Sequence, residues 1–328
     1  MAWSQFQGSG LQRAAQFPTV EEKDKGSAPH PLSRDSIAGW TYPGSPITVE
    51  QDLGEQGGFR MYVVSYRSDN FKINSLMNVP NGQPPAGGWP VLIFNHGYFP
   101  PREYQTVSVD YRTWTDGLAR AGYLVFKPDY RGHAQSEGES AGGNWSPEYT
   151  YDILNLISSL KQYPQANPAK IGQFGHSMGG NVSIRVAEVS PDVRATVTLG
   201  GVVGSPEDLI YRWRRLGMVQ ESPPPGGFGR VRQQLIEHYG DPKDNGEFWN
   251  TVSLTANVGH IAGPVQIHHG EADASVPKQF SDSLHTALVQ SGKPVEYFVY
   301  PGGDHYFTGN GGLALQRMLA LFNAHVKR

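Results

Sequence analysis

Two stretches of the chain carry a serine between closely spaced glycines, GHSMG around Ser177 and GESAG around Ser140. A serine hydroxyl becomes a nucleophile only when a base takes its proton, a carboxylate orients that base and N–H groups receive the oxyanion. The G-x-S-x-G pattern answers that need only on a sharp turn from a buried strand into a helix, which pushes the hydroxyl clear of the backbone. Before Gly175 the chain reads AKIGQF, an apolar run suited to a buried strand. After Ser177, Val182, Val186 and Val189 fall at helical spacing and Pro191 ends the run. Ser140 has polar, glycine-containing flanks on both sides and reads as a loop residue. Ser177 is therefore the candidate nucleophile.

In an open parallel sheet the remaining groups belong just past the carboxyl ends of strands. Of the 11 histidines, His305 stands directly after the last strand pattern, in YPGGDHYF, and is the candidate base. His260 is its main rival. His268 and His269 sit on one strand and face opposite sides, so they cannot share a metal. Asp273, after the preceding strand in HHGEADASVP, is the candidate orienting carboxylate. Its rivals are Glu271, Asp304, which is adjacent to His305 in sequence, and Asp129, placed where a carboxylate braces a loop. The oxyanion donors expected are the Met178 N–H, next to the nucleophile, and the Tyr98 N–H in FNHGYFPP, where His96 and Gly97 let the backbone approach and the Tyr98 ring adds an aromatic wall.

Regular patterns begin near residue 59. Strands are expected at 59–68 and 71–80 as a hairpin, then at 89–97, 123–132, 169–174, 194–203, 263–273 and 294–305. Helices are expected at 113–122, 146–164, 179–190, 277–292 and 312–326. The alternation argues for an α/β fold, a mostly parallel central sheet with helices on both faces. Residues 1–45 read as a polar N-terminal extension, either a mature terminus left after an export signal was removed or a segment that wraps the domain. Residues 46–328 then form the main domain. An insertion at about 205–260 holds Tyr211, Trp213, Phe228, Tyr239, Phe248 and Trp249 around SPPPGGFG. It reads as a cap over the site; most of its aromatics are expected to pack it down, while Trp213 and Trp249 are candidates to face substrate.

The 328 residues have a net charge of −3 and no cysteine. This favours neither nucleic acid nor an anionic membrane, and it excludes disulfides, thiolate metal sites and cysteine nucleophiles. No apolar run reaches the ~18 residues of a membrane span. DPKDNG is a weak likeness of a calcium loop, with Lys243 where an oxygen ligand is needed. No metal and no cofactor are inferred, and the partner expected is a small-molecule ester.

Together NHGY, DYRGHAQSEGE, GHSMGG, GEADASVP and GGDHYF resemble an α/β-hydrolase, and more narrowly the catalytic domain of the prolyl oligopeptidase family, over roughly residues 60–328. The order Ser177, Asp273, His305 is the one that fold uses. The resemblance implies a serine hydrolase working through an acyl-enzyme. The family's peptidases carry a large N-terminal propeller, for which there is no room before FRMYVV, so the expectation is a carboxylesterase of aryl, feruloyl or acetyl type. The alternatives are a serine peptidase or amidase, a cutinase-like polyester hydrolase, and a non-catalytic binding protein on a hydrolase scaffold.

Overall fold

The computed structural model describes residues 29–141, 143–213 and 228–328. A nine-stranded sheet runs through it in the order β1-β2-β3-β5-β4-β6-β7-β8-β9. Its strands are β1 Thr48–Glu55, β2 Phe59–Ser68, β3 Phe71–Pro80, β4 Trp89–Asn95, β5 Leu124–Pro128, β6 Ala166–His176, β7 Val193–Leu199, β8 Val265–Gly270 and β9 Val295–Tyr300. From β5 to β9 every pairing is parallel. β1, β2 and β3 join as an antiparallel extension, in which Ser68 pairs with Phe71 across the expected hairpin turn.

The central strands are apolar on both faces because helices cover both. Val91 and Ile93 of β4 pack with Leu156 of helix α3 (Glu148–Leu160) and Val182 of α4 (Met178–Val189). Leu92 and Phe94 point the other way, toward Leu118 of α2 (Arg112–Arg120) and Met318 of α9 (Gly311–Phe322). This is the two-residue alternation of a strand buried on both sides. Because β5 and β6 flank β4 on opposite sides, the chain order reverses there. In parallel sheets the cleft opens at such a point, beyond the carboxyl ends of the strands.

Two elements ahead of residue 59 were not expected, nor were the helices of the insertion. Strand β1 is almost wholly exposed, so its TVEQDLGE sequence carries no buried stripe to betray it. A short helix, α1 (Arg34–Gly39), buries Ile37 within the main core and is capped by the Ser33 hydroxyl. Leu32 beside it is buried, and its carbonyl accepts a hydrogen bond from Arg185 of α4, so this stretch packs against the body.

The insertion contains α5 (Phe228–Tyr239), α6 (Gly246–Val252) and α7 (Leu254–Asn257); after β8, α8 (Lys278–Gln290) follows. Residues 214–227, with most of SPPPGGFG, and the Phe228 side chain lie outside the described residues.

Much of DYRGHAQSEGE is a brace. Arg131, 6 % exposed, reaches Asp152 of α3 at 2.6 Å and 3.0 Å and Asp69 of the hairpin at 3.0 Å. Ser140 is an exposed coil residue of the same loop. Removing one partner of a buried pair strands the other charge, which costs about 3–5 kcal/mol. Asp152→Ala should lower unfolding free energy by that amount in urea titration. Asp52→Ala, which breaks the exposed pair with Arg60, should change it by less than about 1 kcal/mol.

Candidate active site

The site is built from the strand ends. β6 delivers Ser177 directly into α4, and Ser177 itself adopts φ 55° and ψ −119°. A non-glycine residue there is strained, and such strain persists only where the surroundings enforce it. They do. A Cβ on Gly179 would fall 1.9 Å from the Asn95 carbonyl oxygen, and one on Gly175 2.1 Å from the Gly179 oxygen. The two glycines of G-x-S-x-G therefore let β4, β6 and α4 close on one another. The Ser177 N–H donates to the Leu199 carbonyl, and its own carbonyl accepts from Gly180 and Val202.

His305 and Asp273 meet at the ends of β9 and β8. The His305 Nδ1 lies 2.7 Å from Asp273 Oδ2, and both residues are only 7 % exposed. An ionised carboxylate only accepts, so Nδ1 carries the proton and Nε2 keeps its lone pair. Burial alone would push the Asp273 carboxyl up. Hydrogen bonds from His269, His305 and the Val276 N–H more than offset it and hold the group well below the usual carboxylate range. The Ser275 N–H also donates to it, at 2.8 Å. Asp304 instead receives the Tyr306 and Thr308 N–H groups of its own loop, and Asp129 is buried against Thr106. His260 is exposed in the insertion.

Ser177 and His305 line one cavity of ≈ 720 Å³. Tyr98 lines it too, and a Cβ on neighbouring Gly97 would come 3.2 Å from the Ser177 Cβ, so the loop after β4 runs against the serine. Met178 opens α4, where backbone N–H groups have no partner within the helix and the dipole favours negative charge. The His96 backbone lies close against Gly179, and its side chain has a further role. Its ring is buried, sandwiched between Tyr104 and Tyr130 with centroids 4.3 Å and 4.4 Å away, and it anchors the loop.

Trp213 and Trp249 are the main correction. Among the described residues the insertion contributes no side chain to this cavity. The Trp249 N–H donates to the Gly240 carbonyl and its ring is 2 % exposed; the Trp213 N–H donates to the Ser275 carbonyl and its ring packs on Phe280. Each indole needs both an apolar bed and one acceptor; the insertion supplies the acceptor for Trp249, whereas Ser275 and Phe280 beyond β8 supply the acceptor and the bed for Trp213. The aromatic walls are Tyr98, Phe99, Tyr111, Trp114, Tyr306 and Phe307. Of these only Tyr98 was singled out. The available signal was adjacency, since Tyr306 and Phe307 follow His305 and Phe99 follows Tyr98.

The order of strands, the strained serine at the end of β6 and the carboxylate–imidazole pair on the next two strand ends are the features of one fold. The chain has the α/β-hydrolase fold. The family model described as "Serine aminopeptidase, S33" matches residues 91–224, and that described as "Prolyl oligopeptidase family" matches residues 230–328. The α/β-hydrolase chain is 27% identical over 261 residues to "Uncharacterized peptidase YtmA" of Bacillus subtilis (strain 168), covering 79% of this chain and 91% of that protein. It covers 45% of the length of two other curated relatives that it matches. Acetyl xylan esterase 1 of Thermoanaerobacterium sp. JW/SL YS485 superposes with a TM-score of 0.64 at 20% identity, over 89% of this chain and 94% of that one. Est1E of Butyrivibrio proteoclasticus, solved with ferulic acid bound, gives 0.61 at 19% identity, over 80% and 99%. The two solved structures share the fold, and the family models and the curated relative support a serine hydrolase similar to the prolyl oligopeptidase-type catalytic domains.

In this geometry Asp273→Asn should cut turnover of an activated aryl ester by roughly 10⁴, the scale seen when an imidazole is held in the wrong tautomer. Asp304→Asn should leave it within about threefold. Steady-state kinetics on both variants decides, and the reverse ranking would move the carboxylate role to Asp304.

Proposed function

We propose that the protein is a serine carboxylesterase for neutral esters with an aryl or short acyl group. Ser177 is the nucleophile, His305 the base and acid, Asp273 its orienting partner, and the N–H groups of Tyr98 and Met178 the oxyanion donors. In the first half-reaction Ser177 Oγ attacks the ester carbonyl carbon while His305 Nε2 takes the hydroxyl proton. The oxyanion forms against the two N–H groups. Collapse expels the alcohol, which leaves with the proton from His305, and an acyl-enzyme remains. Water then repeats the sequence, losing its proton to His305, and the acid leaves as Ser177 regains its proton.

The observation that carries the ester reading is the cavity wall. Six aromatic rings flank Ser177, and no Lys or Arg lines the cavity among the described residues. Such a wall suits a neutral apolar group and offers nothing to neutralise a free carboxylate. The esterases among the structural relatives support the same reading.

One feature favours a second reading, an aminopeptidase. Asp110 lines the cavity, where an exposed carboxylate could receive a free amine. The two readings separate on a panel of aryl and feruloyl esters beside aminoacyl anilides. Amide cleavage demands well-placed protonation of a poor leaving group, so kcat/KM should favour the best ester by at least about 100-fold. Asp110→Asn should leave ester turnover within about threefold. Anilide cleavage at ester-like rates, lost in Asp110→Asn, would establish the aminopeptidase instead.

A further inference from the structure

Six non-glycine residues among those described have positive φ, and three of them, Tyr111, Ser177 and Phe307, line the one cavity. The strain at Ser177 belongs to the tight turn from β6 into α4. That at Tyr111, φ 65° just ahead of α2, has no local reason: the side chain makes no capping bond to its helix. Its hydroxyl is instead turned into the site, where it lies 3.0 Å from His176 Nδ1. His176 Nε2 in turn lies 2.8 Å from the His305 carbonyl oxygen. On the other side, the Gly97 backbone packs against the Tyr111 hydroxyl. A Cβ on Gly97 would come 3.1 Å from both the Tyr111 oxygen and His176 Nδ1.

The direction of every bond follows. A carbonyl only accepts, so His176 Nε2 carries the proton and donates to His305. Burial drops the His176 pKa to about 3, so the ring is neutral and Nδ1 is an acceptor. Burial also pushes the Tyr111 phenol above its ordinary value, so it keeps its proton and donates it to Nδ1. The chain runs from Tyr111 O–H to His176 and from His176 N–H to the His305 carbonyl, with Gly97 packed against its Tyr111 end. It joins the loop that bears the Tyr98 N–H, the residue before Ser177, and the backbone of His305.

We infer that Tyr111 and His176 are positioning residues, a one-way hydrogen-bond chain that sets the oxyanion donor and the base relative to Ser177. The inference rests on the reading of Ser177 and His305 as nucleophile and base. Neither residue touches the reacting atoms in this role; each acts through the loops it ties. Misplacement of about 1 Å at such groups can cost on the order of 10²-fold in rate.

The test uses the full chain with Tyr111→Phe, which deletes one oxygen, and with His176→Phe and His176→Gln. A fluorophosphonate titrates competent Ser177, and kcat for an aryl acetate is expressed per titrated site. That readout is blind to loss of folded protein. Tyr111→Phe should lower kcat per site by about 10-fold or more, with KM within about threefold. His176→Gln, which can still accept and donate, should retain more activity than His176→Phe. Because the residues act through one chain, the double variant Tyr111→Phe/His176→Phe should be within about threefold of the worse single variant. Unchanged kcat per site in Tyr111→Phe, independent multiplication of the two effects, or equal loss in His176→Gln and His176→Phe would overturn the chain. A wild-type protein that takes no label at Ser177 and cleaves no ester would instead sink the esterase reading.

Discussion

The tight turn at Ser177 is the constraint on which the site depends. Three backbone segments, the end of β4, the end of β6 and the first turn of α4, approach so closely that Asn95, Gly175 and Gly179 leave no room for a Cβ at either glycine. A serine held at φ 55° costs of order 1–3 kcal/mol, which tertiary packing must offset. The offset is visible in both faces of the sheet, where Ile93 and Phe94 of one strand are fully buried on opposite sides. A slip of one residue in β4 or β6 would exchange those faces and carry the serine out of the cavity.

Around that turn, charge is confined. His176, His96 and His268 are held neutral by burial, and each ring finds hydrogen-bond partners. The Asp273 carboxylate is a strongly stabilised charge, which collects N–H donors from Ser275, Val276 and the imidazoles. A carboxylate so held stays ionised through the neutral range. Its stabilising contribution is present above the ordinary carboxylate pKa and is lost only as pH falls through its depressed folded value.

The parts of this arrangement that were legible in sequence are those dictated by local rules. Ser177 stood out from Ser140 because only one of them has a strand before it and helical spacing after it. Asp273 and His305 stood out because they follow strand patterns. What was hidden depends on partners distant in sequence. β1 is an exposed edge whose polar residues carry no alternation. His176 occupies the variable position of its motif, and its partners Tyr111 and His305 lie 65 and 129 residues away. Trp213 and Trp249 were misplaced for the same reason. A tryptophan in an insertion has the same composition whether it packs the insertion or faces a ligand, and only the Ser275 and Gly240 carbonyls reveal which.

The central claim is that the strained serine at the end of β6 carries the acyl group. It is tested most directly by mixing the protein with excess aryl ester, quenching in acid during turnover, and mapping the adduct by peptide mass spectrometry. At most one acyl group per chain is expected, located on the peptide that contains Ser177. An acyl group on Ser140, or rapid turnover with no covalent adduct on Ser177 at any quench time or pH, would contradict it.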